Sequence, residues 1–250
     1  MPIPDWQLPA GVDRGLWDYL HAANMVSTYD EQMRASPLAA ADVAFCERAF
    51  ATPGRVADLG CGTGRLCVHL AARGFACVGV DLSDDMLTQA RANAASAGVN
   101  VEWVNANLVD LPPLADASFD YAACLFSTLG MIREAENRTK AILSTFRVLK
   151  PGGRFVLHVH NRYFRGLGRK RVWGQRLRTL FAPTTAGDIT MSQAYGGAAL
   201  TLHHYAPGHA ERLVDSCGFR VKETSAVGID GLPARGGDVY GWLLLAERPL

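Results

Sequence analysis

The stretch Val56 to Gly64, VADLGCGTG, narrows most sharply what this chain can fold into. Val56-Ala57-Asp58-Leu59 reads as a buried strand, Gly60-Cys61-Gly62-Thr63-Gly64 as a tight turn, and Arg65 onward as a helix. A strand that passes through glycines into a helix points backbone N–H groups into a crevice at the carboxyl edge of a parallel sheet. Glycine is needed there because any side chain would hold a ligand off the backbone.

The surrounding pattern supports that sheet. Short apolar runs at Arg55–Leu59, Cys77–Asp81, Val101–Asn105, Tyr121–Phe126 and Arg154–His160 alternate with helical patterns at about Gly64–Arg73, Asp84–Ala97 and Glu134–Leu149. Lys150-Pro151-Gly152-Gly153 then stops the last helix and turns the chain. The alternation predicts a doubly wound α/β fold. After a helix at about Gly208–Cys217, the runs Phe219–Val227 and Val239–Glu247 are joined only by a loop, which predicts an antiparallel pair at the sheet edge.

With 250 residues, 49% of them hydrophobic, the chain has material for one α/β core. Within it the expected units are an N-terminal helical lid (1–54), the Rossmann-like core (55–160), an insertion (161–207) and a last helix with two edge strands (208–250). In the insertion, Asp188–Tyr195 and Ala198–Tyr205 flank Gly196-Gly197 and read as a β-hairpin. Its first part gathers Arg162, Arg165, Arg169, Lys170, Arg171, Arg176 and Arg178 with Trp173 and Phe181; a solvated basic loop is favoured there over an RNA or acidic-substrate grip.

A formal net charge of +1 supplies no global field toward nucleic acid or a membrane surface, so any polyanion site must be local. The six cysteines lack C-x-x-C spacing and lie mostly in apolar runs, which suits reduced, buried thiols. No basic leader with an apolar stretch opens the chain, and no run reaches the roughly 18 apolar residues of a membrane span. The expected setting is cytoplasmic, with no membrane partner; nothing bears on oligomeric state.

Spacing separates the nucleotide ligands. A dinucleotide fingerprint would need a third glycine where Arg65 stands, and there is no G-x-x-x-x-G-K-[ST] phosphate loop. Asp58 before the turn disfavours a phosphate and suits a ligand bearing an ammonium and a sulfonium. Asp81, ending Val78-Gly79-Val80-Asp81, is placed to accept hydrogen bonds from both ribose hydroxyls, since Ser83 is the better cap for the following helix.

Taken in order, VADLGCGTGRL, VGVDLSDDMLTQA, Asn105-Ala106-Asn107-Leu108, FDYAACLFSTLGMI and RVLKPGGRFVLHVHN resemble the motifs of the class I (Rossmann-like) S-adenosyl-L-methionine-dependent methyltransferases, over about Arg55 to Asn161. The resemblance implies a seven-stranded, mostly parallel sheet with an antiparallel last strand, and a small-molecule substrate cap in the inserted hairpin. It implies that Asp58, Gly60, Cys61, Gly62, Thr63 and Gly64 meet the methionine part of the cofactor, and that Asp81 holds the ribose. Leu82 and Met86 would flank the adenine and Leu108 would offer it a backbone N–H. Asn107 stands where the family often has an aspartate; its amide oxygen can still accept from the adenine amino group. Leu125 and Phe126 would line the methionine arm, and Tyr29 lies where many relatives place a tyrosine near the methyl, though a packing tyrosine would look the same.

The implied reaction is in-line methyl transfer to an oxygen or nitrogen of a small molecule, leaving S-adenosyl-L-homocysteine. His160 is the candidate general base, with Asn161, Tyr163 and His204 as further acceptor-pocket candidates; a histidine merely lining the pocket would read identically. The chain has no N-P-P-[YFW] clamp after the fourth strand, and the pairs His158/His160 and His203/His204 lack the carboxylates of a metal site, so no metal is expected. RNA or protein methylation and non-catalytic cofactor binding are the alternatives, with nucleic acid disfavoured by the charge balance.

Overall fold

The structure, a computed structural model, describes residues 3–22, 25–111, 114–181, 186–191 and 199–250, with the side chain of residue 180 left aside. In chain order the elements are α1 (Arg14–Leu20), α2 (Met25–Ala35), α3 (Pro37–Ala49), β1 (Arg55–Leu59), α4 (Arg65–Ala71), β2 (Ala76–Asp81), α5 (Asp84–Ser96), β3 (Glu102–Asn105), β4 (Phe119–Cys124), α6 (Thr128–Met131), α7 (Ala135–Val148), β5 (Leu149–His160), α8 (Arg169–Phe181), β6 (Asp188–Met191), β7 (Leu200–His203), α9 (His209–Ser216), β8 (Arg220–Val227) and β9 (Gly241–Glu247).

Seven strands form one sheet in the order β3-β2-β1-β4-β5-β9-β8. The chain builds outward from β1 to β3 on one side and from β4 onward on the other, so the crevice between β1 and β4 is the topological switch point where such sheets bind ligands. Pairings among β1 to β5 are parallel, whereas β9 is antiparallel to both β5 and β8. The seven-stranded, mostly parallel fold is therefore the expected one, with one correction. β9 is not an edge strand: it lies between β5 and β8, and its run Trp242-Leu243-Leu244-Leu245-Ala246 is the continuous apolar run of a strand covered on both faces.

Both faces of the sheet are buried, and alternation along the strands divides them: Ala57 and Phe155 join the cluster under α7 and α9, while Val56 and Val156 join the one under α3 and α4. This corrects the extent of the N-terminal lid. α3, started by Pro37 and capped by Ser36 Oγ accepting from Ala39 N at 3.2 Å, buries Leu38, Phe45, Cys46 and Ala49 against the sheet. Only the chain up to α2 stands over the carboxyl edge. There Leu16, Tyr19 and Leu20 of α1 and Met25 of α2 pack with Met86 of α5 and Leu200 and Leu202 of β7.

β6 and β7 pair antiparallel, Asp188 opposite His203 through Met191 opposite Leu200. The second strand ends at His203, and Tyr205 bridges to Asn161 instead. The Gly196-Gly197 turn lies outside the described residues. The basic stretch is a helix, α8, rather than a loop, as its Arg, Lys, Leu and Gln content favours. Gln175, its buried residue, accepts from Gly187 N at 2.8 Å and donates to Asp188 O at 3.3 Å, fastening α8 to β6. Among the described residues no helix is long and apolar enough to cross a membrane, and all six cysteines are free and buried.

Candidate active site

The site begins at the turn after β1. Gly60 and Cys61 donate to Val80 O at 2.8 and 3.0 Å, which locks the turn onto the end of β2. Gly60 has φ +77°, and a Cβ on it would lie 2.3 Å from Thr128 Cγ2; Gly62 has φ +54°, and a Cβ there would lie 3.1 Å from the Tyr29 ring. The cradle exists only because these positions carry no side chain.

Asp81 closes the cradle. Its Oδ2 accepts from Gly62 N at 2.8 Å and its Oδ1 from Ser83 N at 2.9 Å, which leaves each oxygen a further lone pair. Burial raises its pKa even against those backbone donors. Ser83 Oγ caps α5 by accepting from Met86 N at 3.3 Å, so Asp81 is not spent as the cap. Asp58 is buried, its carboxylate accepting, among the described residues, only the weak thiol donor of Cys67 at 3.6 Å, and burial pushes its pKa up to about 7. A buried carboxylate so poorly matched suits a ligand cation.

Three adjoining clefts lie at this edge. The first is lined by Gly60, Gly62, Asp81, Leu82, Met86, Asn107 and Leu108 from the sheet side, and is roofed by Ala10, Gly11, Val12, Leu16, Tyr19 and Leu20. Asn107 has its amide oriented by donation to Ala10 O at 2.8 Å and acceptance from Val109 N at 3.1 Å. The second, smaller cleft is lined by Asp58, Gly60, Cys61, Thr63, Leu125, Phe126 and Tyr29. Gly64 is the left-handed residue at which α4 starts and lines none of the three.

Leu125 and Phe126 were expected inside the fourth strand, but β4 ends at Cys124. Phe126 and Ser127 take left-handed conformations, φ +52° and +61°, and Ser127 N donates to His158 O at 3.1 Å. That bond to β5 turns the chain and swings the Phe126 ring to the histidines, its centroid 5.8 Å from His160 and 6.3 Å from His158.

The third cleft, about 560 Å³, is lined mainly by apolar and aromatic side chains, among them Tyr29, Phe126, Phe164, Met191, Leu202 and Tyr240, with His160, His204 and Arg171 as its ionisable nitrogen groups. Tyr19, Tyr29, Thr128 and Met131 belong both to its wall and to the wall of the first cleft. His160 is 3% exposed, and neither ring nitrogen has a hydrogen-bond partner among the described residues. Burial, reinforced by His158 and His204, holds its pKa well below 6.5, so the ring is neutral and its acceptor lone pair available. His204, 5.4 Å from His160 between ring centroids, is pushed by burial to about 4.

Behind His160 lies a pair not visible in the sequence reading. His158 Nδ1 is 2.7 Å from Asp42 Oδ1, a close polar contact that is not an aligned hydrogen bond, and Asp42 also lies 3.7 Å from Arg65 Nη2. The signal for Asp42 was a lone acid on the apolar face of α3, which only the fold brings beneath β5.

Two expected acceptor-pocket residues lie elsewhere. Asn161 spends its amide on Val239 O (2.8 Å, donating) and Tyr163 N (2.9 Å, accepting), joining β5 to the segment before β9. Tyr163 faces Arg162 and Arg176 and is absent from the cleft lining. His203 bonds Asp188 at 2.9 Å, and among the described residues no group of three or more His, Cys, Asp or Glu is gathered for a metal ion.

The strand order, the glycine turn after β1 and the acid ending β2 together define a Rossmann-like methyltransferase architecture. Residues 56–153 match the family model described as a methyltransferase domain. Among curated proteins it is 30% identical over 137 residues to YqeM of Bacillus subtilis, covering 55% of this chain and 54% of that one. It is 29% identical over 116 residues to the ubiquinone biosynthesis O-methyltransferase of Saccharophagus degradans, covering 46% and 48%. The chain thus spans about half the length of the curated relatives it matches.

Solved structures share the fold. A SAM-dependent methyltransferase from Methanosarcina mazei superposes with a TM-score of 0.68 at 23% identity, over 82% of this chain and 97% of that one. A 1,6-didemethyltoxoflavin-N1-methyltransferase from Burkholderia thailandensis, solved with 1,6-didemethyltoxoflavin and S-adenosylhomocysteine, does so at 0.64 and 15% identity, over 100% and 94%.

Proposed function

We propose that this chain transfers a methyl group from S-adenosyl-L-methionine to an oxygen or nitrogen of a small-molecule acceptor held in the third cleft. The observation that carries this reading is the shared wall: the glycine-turn cleft and the cleft holding His160, whose neutral ring has no hydrogen-bond partner among the described residues, are partitioned by Tyr19, Tyr29, Thr128 and Met131. A donor in one and an acceptor in the other lie side by side, as in-line displacement needs.

The cofactor supplies an electrophilic methyl on a sulfonium. In this reading Gly60 to Gly64, with Cys61 and Thr63, bring backbone against its aminoacyl end, and Asp58 pairs with the ammonium. Asp81 accepts from the ribose hydroxyls, Leu82 and Met86 flank the adenine, and Asn107 and Leu108 meet its edge. Leu125 and Phe126 run beside the methionine arm, and Tyr29 stands between donor and acceptor.

His160 takes the proton released by an acceptor hydroxyl or ammonium, a task to which its neutral ring is suited and which contributes about 10²–10⁴-fold in rate. The Asp42–His158 pair acts through His160 by fixing the strand that carries it. The apolar walls and the α1 and β6–β7 cover exclude water.

A roofed cleft of this size favours a small molecule over a polymer. So do the names of two similar proteins, an O-methyltransferase of ubiquinone biosynthesis and an N-methyltransferase of a small heterocycle. Titration calorimetry with S-adenosyl-L-homocysteine tests the donor half; binding is expected, and its absence overturns the reading. Turnover of labelled cofactor on a panel of phenols, amines, carboxylates and RNA tests the acceptor half, and methylation of RNA alone would overturn the small-molecule assignment.

A further inference from the structure

We propose that α8 is a docking helix for the surface of an anionic lipid bilayer. Trp173, Leu177 and Phe181 recur every four residues and form one stripe along the helix. All three stand out of the protein, 62%, 49% and 82% exposed, on the side away from buried Gln175. At 100° per residue, Arg169 and Arg176 border the stripe on one side and Arg171 and Arg178 on the other, with Lys170 between.

This helix therefore carries five positive charges in 13 residues of a chain whose net charge is only +1. None of the five has a carboxylate partner among the described residues, whereas Arg48, Arg133 and Arg147 each pair with an acid, and the run 161–181 contains no Asp or Glu at all. Large apolar side chains flanked on both sides by arginines are the arrangement with which a helix lies in a membrane interface: rings and Leu enter the acyl boundary while guanidinium groups stay among the phosphates.

The charge selects among occupants. A second copy would bring five cations against five. A nucleic acid would engage the arginines, yet it offers no apolar layer for Leu177 and Phe181 to enter. An anionic leaflet satisfies both features at once, each nearby Lys or Arg strengthening attachment by about fivefold. Docking of this kind needs no membrane-spanning helix and does not rest on the methyl-transfer reading. Because Arg171 borders the third cleft, it would bring the acceptor site beside the lipid headgroups.

The test is sedimentation of the purified full chain with vesicles of phosphatidylcholine containing roughly 30% phosphatidylglycerol, beside vesicles of phosphatidylcholine alone. The chain is expected to partition onto the anionic vesicles, much less onto the neutral ones, and to be released as salt is raised. Leu177→Ser/Phe181→Ser and Arg176→Gln/Arg178→Gln should each weaken partitioning by about tenfold or more, with melting temperature and S-adenosyl-L-homocysteine binding unchanged. Failure to bind anionic vesicles overturns the proposal, as does wild-type partitioning by both variants. So does binding of a single-stranded RNA oligomer that only the arginine variant loses, without vesicle binding.

Discussion

His158 Nδ1 lies 2.7 Å from Asp42 Oδ1, with both side chains wholly buried. One element of the pair comes from α3, below the sheet, and the other from β5, so the contact clamps a helix to the strand that ends at His160. His158 also depends on the strand beside it: a Cβ on Gly241 of β9 would lie 2.8 Å from His158 Nε2 and 2.5 Å from Val159 O.

Truncating one partner of a buried polar contact leaves the other group without its neighbour, at a cost of about 1–3 kcal/mol. Asp42→Ala is expected to destabilise the fold by about 2 kcal/mol in urea titration, with Asp42→Leu/His158→Leu recovering part of the loss. A loss in the double variant equal to the sum of the losses from Asp42→Leu and His158→Leu alone would show that the pair is not coupled.

If Asp58 pairs with the cofactor ammonium, as proposed, binding acquires a pH dependence. Its folded carboxyl titrates near 7, against 3.8 ordinarily, so between those values the folded chain keeps a proton that the unfolded chain has lost. This group therefore favours folding at low pH, and its contribution declines as pH rises from about 4 to 7. A ligand ammonium needs the ionised form and must displace that proton. Affinity for S-adenosyl-L-homocysteine is expected to fall about tenfold per unit as pH drops below 7. Calorimetry across that range checks it, and Asp58→Asn should bind weakly with no such slope.

The turn should be intolerant of a single methyl group. Gly60→Ala combines a positive φ with a Cβ 2.3 Å from Thr128 Cγ2 and is expected to cost about 1–3 kcal/mol and to abolish cofactor binding. Adding Thr128→Ser removes the clashing methyl and should restore part of the stability, measured by thermal melting, while the backbone strain persists.

If His160 removes the acceptor proton, His160→Gln should lower kcat by about 10²–10³ on a hydroxyl acceptor. Affinity for S-adenosyl-L-homocysteine should stay unchanged, because His160 does not line the glycine-turn cleft. With its folded pKa well below 6.5, His160 stays neutral through the ordinary histidine range. The wild-type rate at saturating substrates should show no fall as pH passes downward through 6.5.

The parts of this architecture written in local sequence were legible in it. The turn from Leu59 to Gly64, the acid ending β2 and the Ser83 cap depend on neighbours a few residues away, so spacing alone places them. What needed the fold was set by distant partners. Asp42 looks like any acid in a helix until α3 is laid under His158, and Phe126 reads as strand until a carbonyl of β5 draws Ser127 out of it. Asn161 follows His160 directly, yet the antiparallel approach of β9 claims its amide for Val239. The continuous apolar run of β9 carried the information that it is interior, whereas the loop joining it to β8 suggested an edge.

The roof over the first cleft has a kinetic consequence. Ala10 and Gly11 are held there by two hydrogen bonds, Asn107 Nδ2 to Ala10 O and Arg133 N to Gly11 O, both 2.8 Å. In the proposed reaction, parting these two hydrogen bonds is a local unfolding step expected to accompany release of the product from under this roof. The tempo of repeated turnover is then set at Ala10 and Gly11 as much as at His160, and the first methyl transfer on each molecule should run ahead of those that follow.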